Sequence, residues 1–156
     1  MIDPREMIAT ARKLLSGEPS DTDLRRAVSS AYYALFHRLC ASFSAIVLHP
    51  PEAVFVRASR QAYRYIEHGQ AKRSCDEVRA RERNFPPGIV AFANSFVELQ
   101  RFRIEADYQP TVAFDLELAR SLVDTAEKAI AAHDGESAEA RRAFAVFVGL
   151  RAKSRS

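Results

Sequence analysis

Four side chains able to bond, stack or carry a proton recur at steps of three or four within LRRAVSSAYYALFHRLC, Leu24 to Cys40. They are Arg26, Ser30, Tyr33 and His37. Residues three and four apart stand one above the next on a helix, so this spacing builds a row along one side. Such a row offers a guanidinium for an anion, hydroxyls for hydrogen bonds and an imidazole that titrates near neutral pH. For His37 the plain structural alternative is a bonded or exposed bystander. Leu24, Val28, Ala31, Leu35, Leu39 and Ile46 fall on the opposite stripe, widened by Tyr32, Phe36 and Phe43, and mark that side as core.

A second constellation lies near the middle of the chain. Phe92, Phe96, Leu99 and Ala106 keep helical spacing, and the same angular count puts Arg103 in the middle of their stripe with Asp107 beside it. Burying an Arg without a partner costs on the order of several kcal/mol, so carboxylates or hydroxyls must meet it. An Arg placed before its Asp at i,i+4 is the poorer orientation for helix support, which makes local stabilisation a weak reason for the pair. Two readings stand. In one, Arg103 and Asp107 form an ion pair that packs one helix on another, completed by the hydroxyl of Tyr32 or Tyr33. In the other they line a polar cleft in which Arg103 faces a phosphate as a bidentate donor.

Absent patterns narrow the chemistry. A metal site in a helical bundle needs a Glu three residues before a His, or two His four apart, and His37, His49, His68 and His133 have neither, so no metal or other cofactor is expected. Glycine-rich phosphate loops and the G-x-S-x-G elbow are missing as well. Cys40 and Cys75 lack CxxC spacing and are expected as reduced thiols.

The elements that must position these residues are all helical, since every long segment has a period near 3.6 and only five glycines punctuate 156 residues. Asp3-Pro4-Arg5-Glu6 reads as a capped helix start, with helix one reaching about Ser16. Ser20 or Asp21 caps a long second helix that reaches His49 before Pro50-Pro51. A third runs from about Glu52 to Glu67, where His68-Gly69 looks like a C-terminal stop. Residues 70–83 carry almost no apolar periodicity and predict a short exposed helix. Asn84 to Gly88 is a turn, a fourth helix runs from Ile89 to Tyr108, and a fifth from Val112 to His133. Ser137 caps a last helix ending near Leu150, and residues 151–156 form a basic tail expected to fray.

At 47% hydrophobic and 28% charged, residues 1–150 fit one globular domain with a real core. No run of about eighteen apolar residues and no signal peptide is present, so a cytoplasmic protein without membrane association is expected. The net charge of +3 is uneven: residues 57–83 hold eight Arg or Lys against four acids, and residues 105–139 hold nine acids against two basic residues. If the basic segments share a face, an anionic partner follows; otherwise they form a solvated mixed surface.

AVSSAYYALFHRL (Ala27 to Leu39), followed about sixty-five residues later by RIEADY (Arg103 to Tyr108), resembles the HEPN family. These are small prokaryotic helical bundles often encoded beside minimal nucleotidyltransferases. The combination of AYYALFH with R-x-x-A-D-Y carries the likeness, which spans the core of the second and fourth helices. It implies an all-α antiparallel up-and-down bundle of four to five helices with additional short ones, usually a homodimer. Toxin–antitoxin modules or RNA processing are the roles it implies.

Nuclease members carry an Arg, four to six residues, then a His. This chain has no Arg at that spacing before any His, places Asp107 where the His after Arg103 would stand, and has Ser30 where many relatives have an Arg before AYYA. The resemblance therefore implies binding of RNA, a nucleotide or a nucleotidyltransferase partner through Tyr33, His37, Arg103, Asp107 and Tyr108. One alternative is metal-independent RNA cleavage, with Arg103 stabilising the transition state and His37 or Asp107 moving the proton. The other is a structural or regulatory subunit without a ligand.

Overall fold

The computed structural model describes residues 2–47 and 56–151. Among them lie seven α-helices and no strand: α1 Pro4–Leu14, α2 Asp21–Val47, α3 Val56–Tyr63, α4 His68–Ala80, α5 Pro87–Tyr108, α6 Leu116–Asp134 and α7 Ala138–Gly149. The fold is the all-α helical bundle expected from the periodicity. Helix α2 is its axis and packs against α1, α3, α5, α6 and α7, while α5 packs against α2, α4, α6 and α7. No helix among the described residues is long and apolar enough to cross a membrane.

Local chemistry sets most helix starts. Asp3 Oδ1 accepts the Arg5 amide at 2.8 Å, Asp115 Oδ1 accepts that of Leu118 at 2.7 Å, and Ser137 Oγ accepts that of Ala140 at 3.1 Å. Ser20 and Asp23 cap reciprocally: Ser20 Oγ accepts the Asp23 amide at 3.2 Å, and Asp23 Oδ2 accepts the Ser20 amide at 2.9 Å. Between α1 and α2, Gly17 takes a φ of 68°, a left-handed turn that a side chain would strain.

The core is built from the predicted stripes. Tyr32, Leu35 and Leu39 of α2 are fully buried with Ile89, Phe92, Phe96 and Leu99 of α5 and Val123 of α6. Each such side chain contributes about 1.5–3 kcal/mol by leaving water. Of the predicted α2 stripe, Phe36 and Ile46 are only half-buried. At the start of α5 the backbone approaches α6 so closely that a Cβ on Gly88 would collide with the Ala132 carbonyl oxygen. It would also come within 2.7 Å of Glu136.

Several boundaries differ from the sequence reading. His49 and Glu52, the expected ends of the second and third helices, lie outside the described residues, as do residues 152–156 of the basic tail. Helix α3 stops at Tyr63 rather than Glu67, and His68-Gly69 opens α4 instead of closing α3. The reason is local: Gln70 Oε1 reaches back to the Glu67 amide at 3.5 Å, a start signal in which glutamine serves the third helical position.

Residues 70–83 are not an exposed helix either. Gln70, Ala71, Ser74, Cys75 and Val78 form a buried face of α4. Their spacing is helical, but most of them are small or polar, so hydropathy conceals the stripe. Gln70 Nε2 donates to the Val148 and Gly149 carbonyls at 2.8 and 3.0 Å, closing the end of α7. Helix α6 begins at Leu116 rather than Val112, because the Asp115 cap starts it there.

Candidate functional site

The polar row on α2 keeps Tyr33 and His37 of its predicted members but has Arg25 and Ser29 in place of Arg26 and Ser30. Arg25, Ser29, Tyr33 and His37, each four apart, make the inter-helix contacts. Arg26 is exposed, Ser30 is half-buried, and neither side chain makes a hydrogen bond among the described residues. Ridges at i±4 run obliquely round a helix, and this ridge lies where α5 and then α3 cross α2.

Each member meets a different partner. Arg25 Nη1 donates to the Ala106 and Gln109 carbonyls at 3.0 and 3.1 Å, and Nη2 donates to those of Pro110 and Val112 at 3.3 and 2.5 Å. Ser29 Oγ donates to Asp107 Oδ1, and the Tyr33 hydroxyl accepts from Arg103 Nη2. His37 Nδ1 lies 2.6 Å from the Tyr63 hydroxyl on α3.

Arg103 is at the edge of the core rather than inside it. Its side chain is 15% exposed and that of Asp107 28%, with Nε 2.8 Å from Asp107 Oδ2. The guanidinium carbon lies 5.1, 5.7 and 5.6 Å from the ring centroids of Tyr33, Tyr32 and Tyr108, a three-sided aromatic cage. Tyr108 itself is 65% exposed. Burial by itself lowers the Arg103 pKa, but the Tyr33 bond and the attraction of Tyr33 and Asp107 outweigh it and raise the pKa overall. Nη1 has no bonding partner among the described residues.

Of the predicted site residues, Tyr33, Arg103, Asp107 and Tyr108 come together. Arg103 and His37 make no bond to each other, and the Tyr33 ring lies between them, 6.3 Å from that of His37. The residue that links the two halves is His68, which the sequence reading took for a helix stop. Its Nδ1 is 2.7 Å from the Tyr32 hydroxyl, its ring stacks on Phe36 at 3.9 Å, and Tyr33 lies 5.9 Å away. Only its aromatic type, next to a glycine, signalled it in the sequence.

Phe36, His37, Tyr63 and His68, with Arg60 and Arg64, line a groove of 790 Å³. That volume suits a small ligand or one unit of a polymer. A phenol is an O–H donor, so the natural assignment has the Tyr32 and Tyr63 hydroxyls donating to Nδ1 of His68 and His37, with each imidazole proton on Nε2. Burial lowers the pKa of both histidines, and for His68 the charges of Arg103 and His37 add to the effect. Burial likewise pushes Tyr63 up to about 12 and Cys40 up to about 12, so neither ionises at neutral pH. Among the described residues no group of three His, Cys, Asp or Glu could hold a metal ion.

Three of the eight basic residues in 57–83, together with Arg151, are held in ion pairs. Lys72 and Arg79 meet Asp76, and Arg81 and Arg151 meet Glu77. A mixed, solvated surface accounts for these residues.

The neutral histidines predict a pH dependence. A histidine whose folded pKa lies below its unfolded value near 6.5 binds fewer protons when folded, so its contribution to stability is complete above about pH 6.5. That contribution is lost as pH falls toward the folded pKa. Melting temperature should therefore drop between pH 7 and 5, and NMR titration of His68 should show a midpoint below 6.5. Arg103→Gln should move that midpoint upward by removing a repelling charge. An unmoved midpoint would show that Arg103 and His68 do not share a site.

Comparison with protein-family models, curated proteins and solved structures finds no match for this chain.

Proposed function

We propose that this chain is a HEPN-like bundle that binds a nucleotide unit, free or within RNA. Arg103 takes the phosphate, and the groove of Phe36, His37, Tyr63 and His68 takes the base. The supporting observation is the Arg103 guanidinium itself, caged by three tyrosines with Nη1 uncommitted and joined through Tyr33 and His68 to an aromatic-walled groove. Arginine suits phosphate by its planar fork, and aromatic faces suit bases because every base has a π-face. By the likeness, the proposal includes a cytoplasmic homodimer that meets a nucleotidyltransferase partner in a toxin–antitoxin setting. Sedimentation and co-purification with that enzyme test those parts.

The binding test is direct. Fluorescence anisotropy with a labelled single-stranded RNA, and calorimetry with AMP, should show affinity falling about 10- to 100-fold in Arg103→Gln. For RNA, the dependence on salt should weaken by about one phosphate contact. Circular dichroism of the variant should stay helical. Equal affinity in the folded variant would remove Arg103 from binding, and an unfolded variant would favour the packing role. Tyr33→Phe, which keeps the ring and drops one acceptor, then serves as the second probe.

One observation favours a second reading, metal-independent RNA cleavage. His37 and His68 line the same groove, and both have pKa values lowered below 6.5. Two imidazoles near a fixed guanidinium are the groups such acid–base chemistry uses. RNA degradation in EDTA that disappears in both His37→Ala and His68→Ala would support it. Intact RNA after long incubation would leave binding alone.

A further inference from the structure

Across α2 from Tyr33 lies a second concavity, between that helix and the first turns of α7. Its volume is 540 Å³, and Arg38, Ser42, Ala138, Arg141 and Arg142 are among its lining residues. Ser42 follows Tyr33 by nine residues, about two and a half helical turns, so this concavity faces away from the side of α2 that meets Arg103. Three guanidinium groups converge on it, and no carboxylate is among the lining residues.

The nearby acids are committed elsewhere. Asp134 Oδ1 is 2.8 Å from Arg38 Nε and 2.9 Å from Nδ1 of the fully buried His133, which fixes Arg38 while leaving its two terminal amino groups without partners among the described residues. Glu136 Oε1 accepts the Gly88 amide at 2.6 Å, and Glu139 is exposed and outside the lining. Arg141 Nε is buried with no hydrogen-bond partner, and neither Arg141 nor Arg142 forms an ion pair among the described residues. The terminal amino groups of Arg141 and Arg142 also lack partners among the described residues, and these are the atoms an oxyanion in the concavity would meet. The concavity also opens at the amino end of α7, twelve residues long, where the backbone dipole favours negative charge.

We infer that this concavity is a binding site for a phosphate group, gripped by Arg141 and Arg142 with Arg38 held in place behind them. Guanidinium forks match phosphate oxygens two at a time, and Ser42 supplies a hydroxyl. The group arrives either as a free phosphate ester or as a backbone phosphodiester of a nucleic acid. The site shares no residue with the Arg103 cage or with the groove of His37 and His68.

Pyrophosphate is the probe, followed by calorimetry and by amide shifts on the intact chain. Binding is expected to shift the amides of Ala138 to Arg142, with an affinity at that site about tenfold lower in Arg142→Gln, a change at an exposed residue. Arg141→Gln should lose more, and Arg120→Gln, an exposed arginine of α6 outside the concavity, should bind pyrophosphate as well as the parent. Displacement of pyrophosphate by a nucleoside 5′-monophosphate assigns the free ester, and displacement by a hydroxyl-ended single-stranded RNA assigns the phosphodiester. No binding, or binding that neither Arg141→Gln nor Arg142→Gln changes, overturns the site.

Discussion

Phe96→Ala is expected to cost about 4 kcal/mol of stability, since truncating a wholly buried phenylalanine loses its transfer energy and leaves a cavity. For a chain of this length that corresponds to a melting temperature lower by about 8–16 °C. Stabilities of natural domains are about 5–15 kcal/mol, so the variant would stand close to unfolding. The position matters for the site as well. The Phe96 ring packs at 5.4 Å from Tyr32, whose hydroxyl holds His68, and at 6.4 Å from Phe92. Urea denaturation gives the energy, and broadened His68 ring signals in the variant at low temperature would show that Tyr32 has lost its support. A loss below about 1 kcal/mol would mean that the α2–α5 seam can collapse around the gap. Phe96→Leu, which keeps most of the volume, should lose far less.

Arg25→Ala should cost about 2–3 kcal/mol by a different mechanism. Helix α5 ends at Tyr108, and Arg25 donates to the carbonyls of Ala106, Gln109, Pro110 and Val112 while its Nε meets Asp21 at 2.7 Å. Hydrogen bonds to charged groups contribute about 1.5–3 kcal/mol net where they are shielded from water. Gln109 and Pro110 are exposed, so water takes over part of the loss, and the total stays well below the sum. Arg25→Lys should not rescue, because one ammonium cannot span two pairs of carbonyls. Faster amide exchange over the last turn of α5 in Arg25→Ala would place the damage there. Protection unchanged from the parent would show that the clamp is dispensable. Asp107 sits on that turn and its partner Arg103 on the one before it, so ligand affinity should weaken along with it.

Much of the fold is legible in the chain. Asp3, Ser20 and Ser137 name their helix starts through hydroxyl or carboxylate acceptors a few residues from the amides they satisfy. Leu24, Val28, Leu35 and Leu39 name the buried side of α2 by spacing alone. Helix α4 escapes this logic because Ser74, Gln70 and Ala71 are buried by partners rather than by hydropathy. Gln70 is tolerated inside because the end of α7 presents two carbonyls to it.

The candidate site divides in the same way. Arg103 and Asp107 are adjacent on one helix, and their inward tilt can be counted from Phe92, Phe96 and Leu99. That Tyr33 meets Arg103 across 70 residues, or that Tyr32 meets His68 across 36, cannot be counted at all. Periodicity states the angle of a side chain about its own helix axis, at about 100° per residue, but says nothing about which neighbour lies at that angle. The sequence alone determined the all-helical class, most caps and the apolar stripes, because those depend on interactions within a few residues. Packing decided that Arg25 and Ser29 rather than Arg26 and Ser30 face α5, and that His68 joins the groove, since both depend on where separate helices cross.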